Sequence, residues 1–303
     1  YFIQKQKKGM MDKIFSFLND AFIYLNVLLT VLSASLFSPL KNPPINEKVP
    51  QTHRIMSFNV RCTNVGIYGQ KQRVGAVVAE INDIAPDSFG VQEATPEWME
   101  DLKANLPAYG VVGVGRDDGE NSGEFSAIFY LKNRYDLLDS GTFWLSDTPD
   151  VPSRSFGSFL NRVCSWALLK DKETGVEFLH MNTHFDTAKG PREKSVPLIL
   201  AKAAEHSDIP VVCTGDFNSG EMSSAYLALL SGDLKNAKFE AKDTMSVVTF
   251  NNQLHIRRLG PVLDHILVND KVNSLVYRVV TDKYDGKLPS DHYPIYADLE
   301  FIV

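Results

Sequence analysis

Six apolar, strand-like runs of this chain each carry an acid, an amide or an imidazole at one end, and that repetition constrains the fold more than any other feature. "RIMSFNV" is followed at once by polar residues and ends its strand on Asn59, "DSFGVQE" stops at Glu93, and "VEFLHMNTH" stops at His184. "IPVVCTGDFN" runs out at Asp216 and Asn218. Asp264 lies early in "PVLDHILV", and "LPSDHYP" sets Asp291 and His292 just before the last apolar run. A strand fixes the residues at its end while the adjoining loop stays open, so polar groups collected there read as a cleft. Singly, each has an ordinary use: a satisfied amide for Asn59, a charge at a helix entrance for Glu93, an Asx turn for "GDFN". Their joint occurrence points to a site.

Between these runs the pattern is that of a mixed α/β domain. "RVGAVVAEINDI" places Val74, Val77, Val78, Ile81 and Ile84 on one helical face. Thr95-Pro96 opens a second helix, with Thr95 as cap and Trp98, Leu102 and Leu106 on its buried face. A third runs from about Pro191 to His206, its first turn interrupted by Pro197, and a short one spans Ser223 to Ser231 before Gly232. Further strands are read at "GVVGV", "FSAIFYL", "RVCSWALLK", "SLVYRVV" and "YPIYADLEF". Strand–helix alternation early and strand runs later imply two packed sheets with helices on their outer faces.

With 303 residues, 44% of them hydrophobic, the chain can bury a full core. Its formal net charge of -6 argues against indiscriminate polyanion binding, although a metal ion supplies positive charge locally in many nucleic-acid enzymes. Three cysteines, Cys62, Cys164 and Cys213, are too few for a disulfide framework and read as buried thiols. Residues 1–40 pair a basic flank with an apolar stretch and the small residues Ser33-Ala34-Ser35, the pattern of a signal peptide or membrane anchor. Residues 41–52 read as a proline-rich linker and residues 53–303 as the globular domain. An exported or membrane-anchored protein is therefore expected, with membrane contact through the apolar segment and no protein partner implied.

The motifs "SFNVR", "VQEA", "GEFSAIFY", "NTHFD", "GDFN", "LDHILV" and "SDHYP", in this order, resemble the endonuclease/exonuclease/phosphatase superfamily, metal-dependent phosphoester hydrolases that include pancreatic deoxyribonuclease. The resemblance covers the chain from His53 to its end, and "GTFWLSDTP" further resembles a bacterial branch of it. It implies a four-layer α/β/β/α sandwich of two mixed sheets.

It also implies roles. Glu93 becomes the central ligand of a magnesium ion, with Asn59 and Asp291 close to it; hard oxygen donors suit Mg2+ or Mn2+. Asp216 and Asn218 orient the attacking water, with Asp216 the base. His292 is paired with Asp264 and His184 with Glu124, two carboxylate–imidazole pairs flanking one phosphorus and supporting in-line displacement. Arg61 and Arg162 are candidates for phosphate contact, with a solvated arginine the plainer use of each. Asp186 is a candidate to position His184 or a loop, and Tyr130, Phe143 and Trp144 are candidates for the cleft wall or for packing.

The expected activity is phosphodiester hydrolysis, on a nucleic-acid, phospholipid or sugar-phosphate substrate. "HIRRL" is a modest basic patch that serves any of these. The competing reading is a catalytically silent module that binds phosphoesters on the same fold.

Overall fold

The computed structural model describes residues 45–63, 69–252, 260–284 and 286–302. The apolar segment, the start of the proline-rich stretch and the basic patch around Arg257 lie outside the described residues. Among the described residues no helix is long and apolar enough to cross a membrane.

Among the described residues, thirteen strands form two mixed sheets. One sheet contains β1 (His53–Asn59), β2 (Ser88–Gln92), β3 (Tyr109–Val112), β4 (Ile128–Leu131), β10 (Asp243–Met245), β12 (Val272–Val279) and β13 (Ile295–Phe301). The other contains β5 (Tyr135–Trp144), β6 (Val163–Asp171), β7 (Glu177–His184), β8 (Val211–Asp216), β9 (Lys235–Asn236) and β11 (Asp264–Val268). The helices among the described residues are α1 (Gln70–Ile84), α2 (Pro96–Asn105), α3 (Lys189–Ala204), α4 (Ser224–Leu229) and α5 (Ala237–Glu240). The strand orders are β10-β12-β13-β1-β2-β4-β3 and β5-β6-β7-β8-β11-β9.

Three apolar layers account for the sandwich. Between the sheets lie Ile55, Ile128, Ala167, Phe178, Val212, Ile266 and Ile295. Outside the first sheet, Val77, Ile81 and Ile84 of α1 and Trp98, Met99 and Leu102 of α2 pack on Met56, Phe58, Phe89 and Val91. Outside the second, Val196 and Ile199 of α3 and Leu229 of α4 pack on Leu179, Met181, Cys213 and Leu267. Val74 and Val78 of α1 are only half-buried, while Gln70, Arg73 and Glu80 share its buried face. Thr95 caps α2, its side chain accepting from the Trp98 amide, and Pro96 occupies the first turn. α3 continues through Pro197, which forgoes one helical hydrogen bond.

Strand periodicity explains how the site forms. Alternate residues of a strand face opposite sides, so Ile55, Ser57 and Asn59 of β1 share the inner face, as do Phe178, His180, Asn182 and His184 of β7. Along each of these strands the inner face changes from apolar at one end to polar at the other. Midway, the sheets are joined by hydrogen bonds with no water-exposed member. Gln92 Nε2 donates to Asn182 Oδ1 (2.7 Å) and Ser57 Oγ (3.1 Å), Thr214 Oγ1 donates to Asn182 Oδ1 (3.0 Å), and His180 bridges Ser88 Oγ and Thr214 Oγ1. A Cβ at Gly90 would overlap the Asn182 amide and the Thr214 hydroxyl, so the close approach needs glycine there.

The proline-rich stretch is docked where it is described. The Asn46 amide donates to Tyr296 Oη (3.0 Å), the Val49 amide to Asp298 Oδ2 (3.1 Å), and Ile45 and Val49 pack on the outer core. Cys164 and Cys213 are buried thiols; Cys62, just past β1, is only partly buried.

Candidate active site

The polar strand ends converge on the buried carboxylate of Asp216, the last residue of β8. Its Oδ2 accepts from Asn59 Nδ2 (3.0 Å) and lies 3.6 Å from His184 Nε2 and 3.7 Å from His292 Nε2. Its Oδ1 accepts from the Asn218 amide (2.8 Å). Burial and the nearby Asp264 push its pKa up to about 7, against the pull of His292 and two hydrogen bonds.

His292 and His184 thus share one acid but differ in everything else. His292 Nδ1 is 2.9 Å from Asp264 Oδ2, the expected carboxylate–imidazole pair. Burial alone lowers the pKa of His292, but Asp264, Asp216 and Asp291 outweigh it and raise it to about 10. His184 accepts from Asn218 Nδ2 at Nε2 (3.1 Å), and that amide nitrogen also donates to the Phe185 carbonyl (3.0 Å). An amide nitrogen can only donate, so the His184 proton resides on Nδ1. Burial, then Arg162 and Arg116, hold its pKa well below the usual imidazole value.

The second expected pair does not form as a hydrogen bond. Glu124 Oε2 stands 3.9 Å from His184 Nδ1, and the Glu124 carboxylate is instead clamped by Arg116 through contacts of 2.7 and 3.0 Å. Bidentate pairing with a planar guanidinium outcompetes a single imidazole N–H. Arg116 was not anticipated from sequence, where one arginine in a Gly- and Asp-rich loop has the signature of a solvated turn. It is in fact 6% exposed.

Around Glu93 the ligand candidates are gathered. Glu93 follows β2 in a left-handed conformation (φ 58°), as do Arg61 (60°) and Asn218 (45°), placing three of the non-glycine residues with positive φ in one site. Its carboxylate accepts from Asn59 Nδ2 (2.9 Å) and the Cys62 amide (2.9 Å). Burial works to raise the Glu93 pKa, but these hydrogen bonds prevail and lower it. Asp291 is raised by burial and by the facing charge of Glu93. Two facing carboxylates fit a hard cation, although here Asn59 turns Nδ2 toward Glu93 and Asp216 while its Oδ1 accepts from the Arg61 amide. Glu93, His184 and Asp216 also bring ligand atoms within 4.8 Å of one another, as do Asp216, Asp264 and His292.

"LPSDHYP" owes its rigidity to Ser290, whose hydroxyl donates to the Asn59 carbonyl (2.6 Å) and tethers the segment to β1. Arg61 Nε is 3.5 Å from Asp291 Oδ2, and Arg162, 8% exposed, lies 3.7 Å from Asp186. Asp186 serves the loops: it accepts from Ser158 and from the Ala188 amide (2.8 Å). Tyr130 packs on the inter-sheet core. Phe143 and Trp144 end β5, an edge strand unread in the sequence, and Trp144 is buried with Nε1 donating to the Arg116 carbonyl (2.7 Å). Both therefore pack.

Two sheets whose polar ends meet around one acid, two imidazoles and a cluster of oxygen ligands define a hydrolase-type centre. The model of the Endonuclease/Exonuclease/phosphatase family matches residues 56–292, and the chain belongs to that family, whose members hydrolyse phosphoester bonds. It superposes with a TM-score of 0.80 on an endonuclease/exonuclease/phosphatase family protein of Bacteroides thetaiotaomicron, 35% identical over 85% of this chain and all of that one. A mannosyl-6-phosphatase of the same species gives a TM-score of 0.79 at 36% identity, over 82% of this chain and all of the relative. An uncharacterized protein of Acanthamoeba polyphaga mimivirus is 26% identical over 255 residues, 76% of this chain and 91% of its own length.

Proposed function

We propose that this chain is a divalent-metal-dependent phosphatase acting on phosphate monoesters of sugars. The observation that carries the reading is a pair of buried arginines beside His184. Arg116 and Arg162 are 6% and 8% exposed, and Arg162 Nη1 is buried with no hydrogen-bond partner among the described residues. A monoester brings a second negative charge that a diester lacks; the Arg116 fork is already committed to Glu124, so it is Arg162 whose charge answers it. The sequence favoured a diester; Arg162 moves the reading to a monoester. The sugar is supported by the 36% identity to a mannosyl-6-phosphatase along that protein's whole length.

In this reading Asn59, Glu93 and Asp291 would hold Mg2+ or Mn2+, which would supply positive charge against the phosphate and the departing oxygen. Asp216 aligns a water and accepts its proton, a task suited to a carboxyl with a pKa of about 7. Asn218 fixes Asp216 through its backbone amide and His184 through its side chain. His292, held cationic by Asp264, donates from Nε2 to the phosphate. The water oxygen forms the new bond to phosphorus as the sugar oxygen leaves, with the attacking and departing atoms in line.

Hydrolysis of mannose 6-phosphate and of bis(p-nitrophenyl) phosphate, each with Mg2+ and with EDTA, tests this. The monoester should be turned over with the higher kcat/KM, EDTA should abolish activity, and Glu93→Ala and Asp216→Asn should remove it. Preference for the diester would overturn the monoester assignment, and activity that persists in EDTA would overturn the metal.

A further inference from the structure

Arg73 lies on α1, outside every motif that identifies the site, and is 1% exposed. Its guanidinium gathers backbone carbonyls from two segments far apart in sequence. Nη1 donates to the carbonyls of Val60 (2.7 Å) and Pro289 (2.7 Å), and Nη2 to that of Arg61 (2.8 Å), with Thr63 further off at 3.4 Å. The first segment leaves β1 directly after Asn59; the second leads into Asp291 and His292.

A third segment meets them. The guanidinium carbon lies 5.2 Å from the centre of the Trp98 ring, and Trp98 Nε1 donates to the same Arg61 carbonyl (3.0 Å). Trp98 belongs to α2, which begins three residues beyond Glu93. The stretches bearing Asn59, Glu93 and Asp291 therefore cross at one buried cation. Its planar fork reaches two chains at once, which a lysine ammonium cannot do with the same geometry. Its positive charge also faces Asp291 and Glu93, the two carboxylates that repel each other.

We propose that Arg73 is a positioning residue for the cation site, holding the three ligand-bearing segments at the spacing a divalent ion requires. This rests on the metal reading given above. Loss of such an outer support costs about 10–100-fold in metal affinity. Arg54 offers a matched control. It is also a buried arginine, with a bidentate pair to Asp298 and hydrogen bonds to the Ile84 and Asn46 carbonyls, but it sits at the opposite end of β1.

Mn2+ binding to the full chain is measured by titration calorimetry well below the melting temperature, for the wild type and for Arg73→Met, Arg73→Lys, Arg54→Lys and Glu93→Ala. Arg73→Met should weaken binding about 10–100-fold and Arg73→Lys by a smaller factor. Arg54→Lys should lower Tm and leave the Kd unchanged. If Arg73→Met does not fold, Arg73→Lys decides. Binding within about twofold of wild type in the folded Arg73 variants would overturn the inference, as would an equal loss in Arg54→Lys. Equal binding by wild type and Glu93→Ala is a separate outcome: it removes the metal reading itself, and the positioning role falls with it.

Discussion

His292 and His184 stand at similar distances from one oxygen of Asp216, yet one is held charged and the other neutral. Burial lowers the pKa of both, so burial is not the difference. His292 has Asp264 at its far nitrogen and Asp291 beside it, whereas His184 looks toward a glutamate already claimed by Arg116, with Arg162 close by. What the comparison teaches is that a carboxylate near an imidazole charges it only while that carboxylate remains uncommitted. The site thereby keeps one charged and one neutral imidazole around a single carboxylate.

The largest break of this asymmetry is expected in turnover. His292→Asn should lower kcat about 10²–10⁴-fold, the usual contribution of a positioned acid or base, and His184→Asn by distinctly less. Steady-state kinetics on a phosphomonoester compares them, and equal losses would erase the distinction. Next comes Asp264→Asn, which strands a buried charge and should destabilise the fold by about 3–5 kcal/mol at neutral pH. The sign follows from linkage. His292 has a folded pKa of about 10 against an ordinary 6.5, so its contribution is fully present below about pH 6.5 and is lost as pH rises through 10. Urea unfolding at pH 6, 8 and 10 should show that alkaline decline in wild type and a flatter profile in the variant.

Glu80 sharpens the comparison by showing burial that, among the described residues, no cation offsets. Both its oxygens are buried without a hydrogen-bond partner, and burial, then Asp282 and Asp83, raise its pKa well above 4.5. A carboxyl raised in the folded state stabilises least above its unfolded pKa, so Glu80→Gln should gain about 1–3 kcal/mol at pH 7 and nothing below about pH 4.5. Denaturant melts at the two pH values check it. The smallest effect is set by Arg116→Met, which frees Glu124 for His184. The His184 pKa should then rise, which NMR titration of its ring protons in wild type and variant checks.

Much of this centre was legible in the chain, because its polar groups sit at strand ends where they interrupt an apolar run. Asn59, Glu93, His184, Asp216 and Asp291–His292 all gave that signal, and the structure brings them together. Arg73 and Arg116 did not. An arginine on a helix or in a polar loop has the same sequence signature whether solvated or buried, and only the fold reveals what it touches. Gln92 and Asn182 stood beside recognised residues in "VQE" and "NTH", yet their cross-sheet bonds depend on register, which strands buried on both faces do not advertise. β5 was missed because an edge strand half-open to solvent lacks the continuous apolar run of its neighbours.

The glycine at position 90 has a consequence for how such a scaffold changes its diet. By admitting the Asn182 amide between the sheets it welds the two sheets into a single casting beneath the polar strand ends. Exchange of the loops at residues 113–124 or 146–162 would leave that joint in place but would remove Arg116, Glu124 or Arg162 and so reset the charge around His184.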